Sequence, residues 1–182
     1  MLSHETAEAA DVEASIKVFD AKCSLLRCEK MSVKVEPRCP KAVFDNIQGP
    51  CFVALEINGE HNFYCVPEKN NIYDWKKSNW YVSPISEYSD LSFVSALPEA
   101  CVSMTARRTD AGYEVALTNG SPVIAYLNIL KALSSDGNLV PAVLWSENFI
   151  SLTPGETRTV ECTLPEGCGE VEIIIDGWNL KK

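Results

Sequence analysis

Cysteine, histidine and carboxylate side chains are the groups here that could do metal or hydrolytic chemistry, and their spacing argues against both. The eight cysteines are Cys23, Cys28, Cys39, Cys51, Cys65, Cys101, Cys162 and Cys168. A tetrahedral zinc site draws its ligands from two turns, so it wants cysteine pairs two residues apart. Cys23 and Cys28 are too widely spaced for that, as are Cys162 and Cys168, and the two histidines, His4 and His61, have no companion at ligand spacing. No metal and no cofactor is expected. An even cysteine count would suit a disulfide framework, but no basic-then-apolar export signal precedes it. Cys51, Cys65 and Cys162 fall in phase with apolar neighbours, which reads as small buried hydrophobes.

A hydrolase would need a carboxylate pair, a Ser/His/Asp set or a bound metal on a rigid scaffold. No G-x-S-x-G elbow, phosphate-cradling glycine loop or H-E-x-x-H occurs. His61 follows a turn and reads as a solvated turn residue. The 25 acidic residues read as solvated strand faces. No catalytic residue is therefore expected. Tyr73, Trp75, Trp80 and Tyr81 form the exception of interest, because exposed aromatic rings stack on sugars and this stretch is rich in loop residues. Sealing a joint between two sandwiches is the favoured reading of these four, and sugar binding is the alternative. Trp145 and Trp178 sit beside strand patterns and are expected in a core or an interface.

Period-two alternation dominates the chain, as it does in strands with one buried face. Val12, Ala14, Ile16 and Val18 alternate with polar residues, and Val33 and Val35 do so before Pro37 ends the pairing. Cys51, Val53, Leu55 and Ile57 share a face. Asn58-Gly59 then turns the chain into a return strand through Phe63 and Cys65, since both residues tolerate the positive φ of a tight hairpin. From Pro67 to Pro98 the pattern loosens, and the boundary between two units is placed near residues 86 to 97. Beyond it, Val102 to Ala106, Tyr113 to Leu117, Val160 to Leu164 and Val171 to Ile175 alternate. Asp110-Ala111-Gly112, Asn119-Gly120, Pro154-Gly155 and Pro165 to Gly167 supply turns. Residues 123 to 134 fit helical and strand spacing alike, and the β-branched start and all-β surroundings favour a strand.

About ten short strands predict an all-β protein of two tandem immunoglobulin-like sandwiches, residues 1–90 and 91–182, the first short of an initial strand. The 182 residues carry 46% hydrophobic and 23% charged side chains, the usage of a folded domain, and are too few for a (β/α)₈ barrel enzyme. Sixteen Lys and Arg against 25 Asp and Glu give a net charge of −9, which offers no positive stripe for nucleic acid and disfavours anionic membranes. No apolar run is long enough to span a bilayer, so a soluble chain of unassigned compartment is expected.

The run Trp145-Ser146-Glu147-Asn148-Phe149-Ile150-Ser151-Leu152-Thr153-Pro154-Gly155-Glu156 resembles a segment of glycoside hydrolase family 2. It is similar to the last immunoglobulin-like domain of the β-mannosidase and exo-β-glucosaminidase branch. There an aromatic residue, Ser, an acid, Asn and an aromatic lead into Leu-x-Pro-Gly-Glu. Asp176-Gly177-Trp178-Asn179 resembles the Gly-Trp-Asn that closes many of those chains, the plant mannosylglycoprotein endo-β-mannosidases included. Asn62-Phe63-Tyr64 is a weaker echo, with Glu60-His61 replacing the family's Ser-Arg and Cys65 its Trp.

The resemblance implies a non-catalytic C-terminal region whose partner is a catalytic barrel outside this chain. It also implies a structural role for Trp145, Asn148, Pro154, Gly155, Gly177, Trp178 and Asn179. The family's acid/base and nucleophile glutamates belong to that barrel. Glu147-Asn148 stands in the reverse order of the family's catalytic Asn-Glu and belongs to the sandwich motif. The rival from another class is a free-standing carbohydrate-binding or adhesive module that takes an oligosaccharide on the Tyr73 to Tyr81 aromatics.

Overall fold

The computed structural model describes residues 9–36 and 44–181. His4, Pro37 and Cys39 lie outside the described residues. The chain divides into two compact units, Met1–Ala96 and Leu97–Lys182. Nearly all regular structure is β, with thirteen strands and a single short 3-10 turn, Ser92–Ala96, among the described residues. No helix among them is long and apolar enough to cross a membrane.

In the first unit, strands β1 (Ala10–Asp20), β2 (Leu25–Val35), β3 (Cys51–Ile57) and β4 (Glu60–Val66) form one antiparallel sheet in the order β2-β1-β3-β4. Register decides which side chains share a face. Ile16 lies opposite Leu55 and Val18 opposite Val53, so the alternation seen in sequence becomes one apolar surface, packed by Phe44 and Ile47. On the other face Phe19 lies opposite Phe52, whose ring centroid is 6.0 Å from Phe63 and 5.1 Å from Phe93 of the 3-10 turn. Asn58 and Gly59 have φ of 49° and 86°, the left-handed pair that a two-residue hairpin needs.

Three local expectations change in this unit. The second strand starts at Leu25, well before Val33, because main-chain pairing to β1 holds it without alternating side chains, and Leu25 and Leu26 remain exposed. The turn is only two residues long, so His61 sits within β4 opposite Glu56 and is half-buried rather than solvated. Cys51 is buried as expected, but Cys65, on the edge strand β4, is only half-buried. Burial pushes the Cys51 thiol above its ordinary pKa, with the nearby Cys65 adding to the shift. Among the described residues no cysteine is in a disulfide.

A small antiparallel pair completes the unit, β5 (Ile72–Tyr73) with β6 (Ile85–Glu87).

The second unit contains β7 (Val102–Arg108), β8 (Gly112–Asn119), β9 (Ala125–Leu133), β10 (Leu144–Trp145), β11 (Ile150–Leu152), β12 (Thr157–Thr163) and β13 (Glu172–Asp176). One sheet has the order β10-β12-β8-β7 and the other β11-β9-β13. A single core joins them: Val115, Leu117, Val160 and Cys162 from the first sheet meet Ala125, Leu130, Ala132, Ile150, Leu152 and Ile173 from the second. Four strands against three is the division of a constant-type immunoglobulin sandwich.

The ambiguous segment is a strand with a fault in it. Leu127 has φ of 47°, and the pairing of β9 with β11 slips between Ile150 and Leu152. Burial therefore falls on Ala125, then Asn128, Leu130 and Ala132, a spacing of three followed by two. The buried positions of the strand thus change phase at Leu127.

Leu117 is fully buried between the sheets, so Leu117→Ala is expected to cost about 2–5 kcal/mol of stability. Urea unfolding followed through the second unit's transition measures it.

Candidate functional site

Two regions hold the residues singled out from sequence. The first is the hairpin formed by β5 and β6 with its connecting loop. The Asp74 amide donates to the Pro84 carbonyl at 2.8 Å, closing the loop at its base. At its tip, Asn79 Oδ1 accepts from the Tyr81 and Val82 amides at 3.2 and 3.1 Å, while the Ser78 and Ser83 hydroxyls lie 2.8 Å apart. Lys77 Nζ pairs with Asp74 at 3.2 Å. The polar groups thus turn inward onto the loop's own backbone, and the rings turn out. Relative exposure is 93% for Trp80, 71% for Trp75, 70% for Tyr81 and 40% for Tyr73.

The four rings form two pairs. Tyr73 and Trp75 are 5.3 Å apart by centroid and tilted by 33°, and Trp80 and Tyr81 are 4.8 Å apart at 75°. Ile72, Val82 and Tyr88 are exposed beside them in sequence. Sequence reasoning overlooked these three, since a run of single apolar residues in a loop carries no period.

The second region is the motif segment from Trp145 to Glu156 with Gly177, Trp178 and Asn179, and its polar side chains serve the faulted strand β9. Asn148 Oδ1 accepts from the Leu130 amide at 2.9 Å while its Nδ2 donates to the Leu130 carbonyl at 3.1 Å, so one side chain pairs both backbone groups of a single residue. Ser151 Oγ accepts from the Leu127 amide at 3.1 Å. Asn128 Nδ2 donates to the carbonyls of Ala125 and Ile150 at 3.0 and 2.8 Å. Asn179 Oδ1 accepts from the Tyr126 amide at 2.9 Å, and its Nδ2 donates to Pro98 and Ile124 at 2.7 and 2.8 Å. Together these bonds pair main-chain groups of β9 and of its neighbours Pro98, Ile124 and Ile150.

The motif glycines and aromatics have local reasons as well. Gly155, with φ of 74°, is the third residue of a Thr153–Glu156 turn closed by the Glu156 amide on the Thr153 carbonyl at 3.1 Å, and Pro154 presets the residue before it. Gly177 answers to crowding: a Cβ there would stand 2.8 Å from Leu180 Cγ and 2.9 Å from Asn128 Oδ1. Trp145 lies in β10 opposite Cys162 and packs, half-buried, against the core. Of the core and interface places expected for Trp178, the structure leaves only the second. Asn179 takes the inward position, which turns the neighbouring Trp178 ring out to 59% exposure, edge-on to Tyr126 at 6.4 Å.

Charge in the motif is also internally committed. Arg158 is buried on β12; its Nη1 donates to both carboxylate oxygens of Glu147 at 2.8 and 2.9 Å, and its Nη2 donates to Glu156. Glu156 also accepts from the amide and hydroxyl of Thr153 at 2.9 and 2.7 Å. Burial pushes the Glu156 carboxyl up. The hydrogen bonds from the Thr153 amide, the Arg158 guanidinium and the Thr153 hydroxyl outweigh it, and the net shift is downward. Glu147 and Glu156 are thus counter-ions of one buried guanidinium.

Elsewhere the chemistry is sparse. A cavity of about 210 Å³ on the first unit is lined by Glu13, Ser15, Lys30, Glu56, Asn58 and Gly59. Its groups pair with one another, Lys30 with Glu13 at 2.9 Å and the Ser15 hydroxyl with Glu56 at 3.4 Å. Among the described residues, no cluster of three or more His, Cys, Asp or Glu is placed to hold a metal ion.

A carboxyl whose pKa is lowered by folding adds stability above its unfolded pKa and loses it as pH falls through the folded value. The second unit is therefore expected to weaken in acid, and Glu156→Gln to flatten that acid slope, in urea unfolding repeated from neutral pH down to about pH 3.

Residues 80–180 match the family model described as the exo-β-D-glucosaminidase Ig-fold domain. An exo-β-D-glucosaminidase of Arthroderma benhamiae is 34% identical over 130 residues, covering 66% of this chain and 14% of the relative. That of Hypocrea jecorina is 33% identical over 154 residues, covering 75% of this chain and 17% of the relative. The crystal structure of Amycolatopsis orientalis exo-chitosanase CsxA superposes with a TM-score of 0.81 at 23% identity, over 97% of this chain and 24% of that one. The chain thus spans well under a quarter of the length of the two sequence relatives, and its fold recurs inside a much longer polypeptide. Matched over more than half its length, it belongs to the family of exo-β-D-glucosaminidase Ig-fold domains.

Proposed function

We propose that this chain is a non-catalytic accessory region of an exo-β-glucosaminidase-like glycosidase, supporting a catalytic barrel that it does not itself contain. The carrying observation is its match to a small segment, 14% and 17%, of relatives named for that activity. The geometry supports the reading from within. The motif carboxylates Glu147 and Glu156 are committed to Arg158, and Asn148 to the Leu130 backbone, which leaves none of them poised for proton transfer to a sugar. In the whole enzyme the implied reaction is hydrolysis of a β-linked glucosaminyl residue by double displacement between two carboxylates about 5 Å apart. The partner is the barrel domain, and the exposed hairpin carrying Tyr73, Trp75, Trp80 and Tyr81 is the apolar surface offered to it.

The exposure of the same rings favours a second reading, an oligosaccharide-binding module, since a sugar face stacks on such rings without any further chain. The tilts of 33° and 75° within the ring pairs, with Ile72 and Val82 exposed alongside, suit an interdigitating protein surface better than a flat sugar platform.

The purified chain is expected to release no glucosamine from β-linked glucosamine oligomers, and its tryptophan fluorescence to show no saturable change on titration with them. Turnover sensitive to a point substitution contradicts the accessory role. A saturable change lost in Trp75→Ala and Trp80→Ala selects the binding module instead.

A further inference from the structure

The accessory role leaves one sequence motif without a use. Asn119-Gly120-Ser121 is the chain's single Asn-x-Ser/Thr sequence, the acceptor for N-linked glycans. Its asparagine lies at the end of β8 with no exposed surface at all. The Nδ2 that would receive a sugar donates to three carbonyls, those of Val123, Leu152 and Thr153, at 2.8, 3.1 and 3.2 Å. Oδ1 accepts from the Ser121 amide at 3.1 Å and the Ser121 hydroxyl at 2.5 Å. The Asn119 main chain is engaged too, its amide donating to Glu156 at 2.9 Å and its carbonyl accepting from Gly155 at 3.0 Å. One side chain therefore ties the start of the β8–β9 connection to the Thr153–Glu156 turn.

We infer that a glycan on Asn119 and the native fold of the second unit exclude each other, so that this site is an acceptor only while that unit is unfolded. Transfer from a lipid-diphosphate-linked oligosaccharide forms a bond from Nδ2 to the sugar C1. It breaks the bond from C1 to the diphosphate oxygen, which leaves with the electron pair, and Nδ2 gives up one proton. In the folded molecule the three carbonyls around Nδ2 block the approach of C1. After transfer a single N–H remains for three buried acceptors, and a sugar ring must occupy space that the protein fills. The hydroxyl of Ser121, part of the acceptor motif, is held on the same amide. The native molecule accordingly carries a bare Asn119, and a chain glycosylated before folding is diverted from the native state.

The full chain is expressed behind a cleavable export signal in eukaryotic cells. Asn119 occupancy is then read by peptide mapping and folding of the second unit by limited proteolysis, against the same chain made in bacterial cytosol. The expectation is that glycosylated molecules are cut on the order of tenfold faster or more than bare ones. Glycosylated, rapidly cut molecules or bare, resistant molecules support the exclusion. A glycan on a molecule as resistant as the bacterial product overturns it. So does a bare molecule that is cut rapidly, because an unfolded and accessible acceptor should have been used.

Discussion

Backbone amides and carbonyls buried away from water must be paired, and in the second unit this requirement falls hardest on strand β9. Its left-handed residue, Leu127, breaks the regular ladder between the two sheets. Side chains mend the break: Ser151 takes the Leu127 amide, Asn179 the Tyr126 amide, and Asn148 both groups of Leu130. An unpaired buried group costs about 1–3 kcal/mol, comparable to the whole margin of a small domain when several coincide. The segments around Asn148 and Asn179 are therefore fixed by what β9 lacks.

This constraint explains why residues that look chemical are structural. Asparagine beside glutamate suggests acid–base work, yet Asn148 is a surrogate strand residue and Glu147 neutralises Arg158. Arg158 is nearly buried, and two carboxylates with fixed geometry offset its desolvation, with Glu156 further anchored by Thr153. Such pairing holds the shape of the second unit. That supports the proposed accessory role in a longer glycosidase, in which the exposed aromatic hairpin of the first unit is the proposed docking surface.

Much of the fold is legible in the sequence where a strand is regular and long. Ile16, Val18, Val53 and Leu55 announce their shared face by alternation, and Asn58-Gly59 its turn by the positive φ that both residues tolerate. The strands β5, β6, β10 and β11, of two or three residues each, are too short to show a period. Residues 123 to 134 carry helical and strand spacing alike, and β9 is a strand, as its β-branched start favours, with a shift of phase at Leu127. Cys65 is misjudged because residue type suggests burial, but its position on an edge strand decides otherwise. The site is less legible than the fold. Tyr73, Trp75, Trp80 and Tyr81 are visible as a cluster, whereas their exposure depends on Asn79 and Ser78 turning inward. Glu147 and Arg158 are separated by 11 residues and meet only through the packing of the turn and β12.

Native-state hydrogen exchange at the amides of Tyr126, Leu127 and Leu130 tests most directly whether side chains complete β9. If Asn179, Ser151 and Asn148 hold these groups, the three amides exchange as slowly as those of Val115 and Leu117 in the adjoining sheet, through opening of the whole unit. Exchange as fast as in the exposed turn at Ser135 to Gly137 would contradict the account, since β9 would then be open where the asparagines are said to close it.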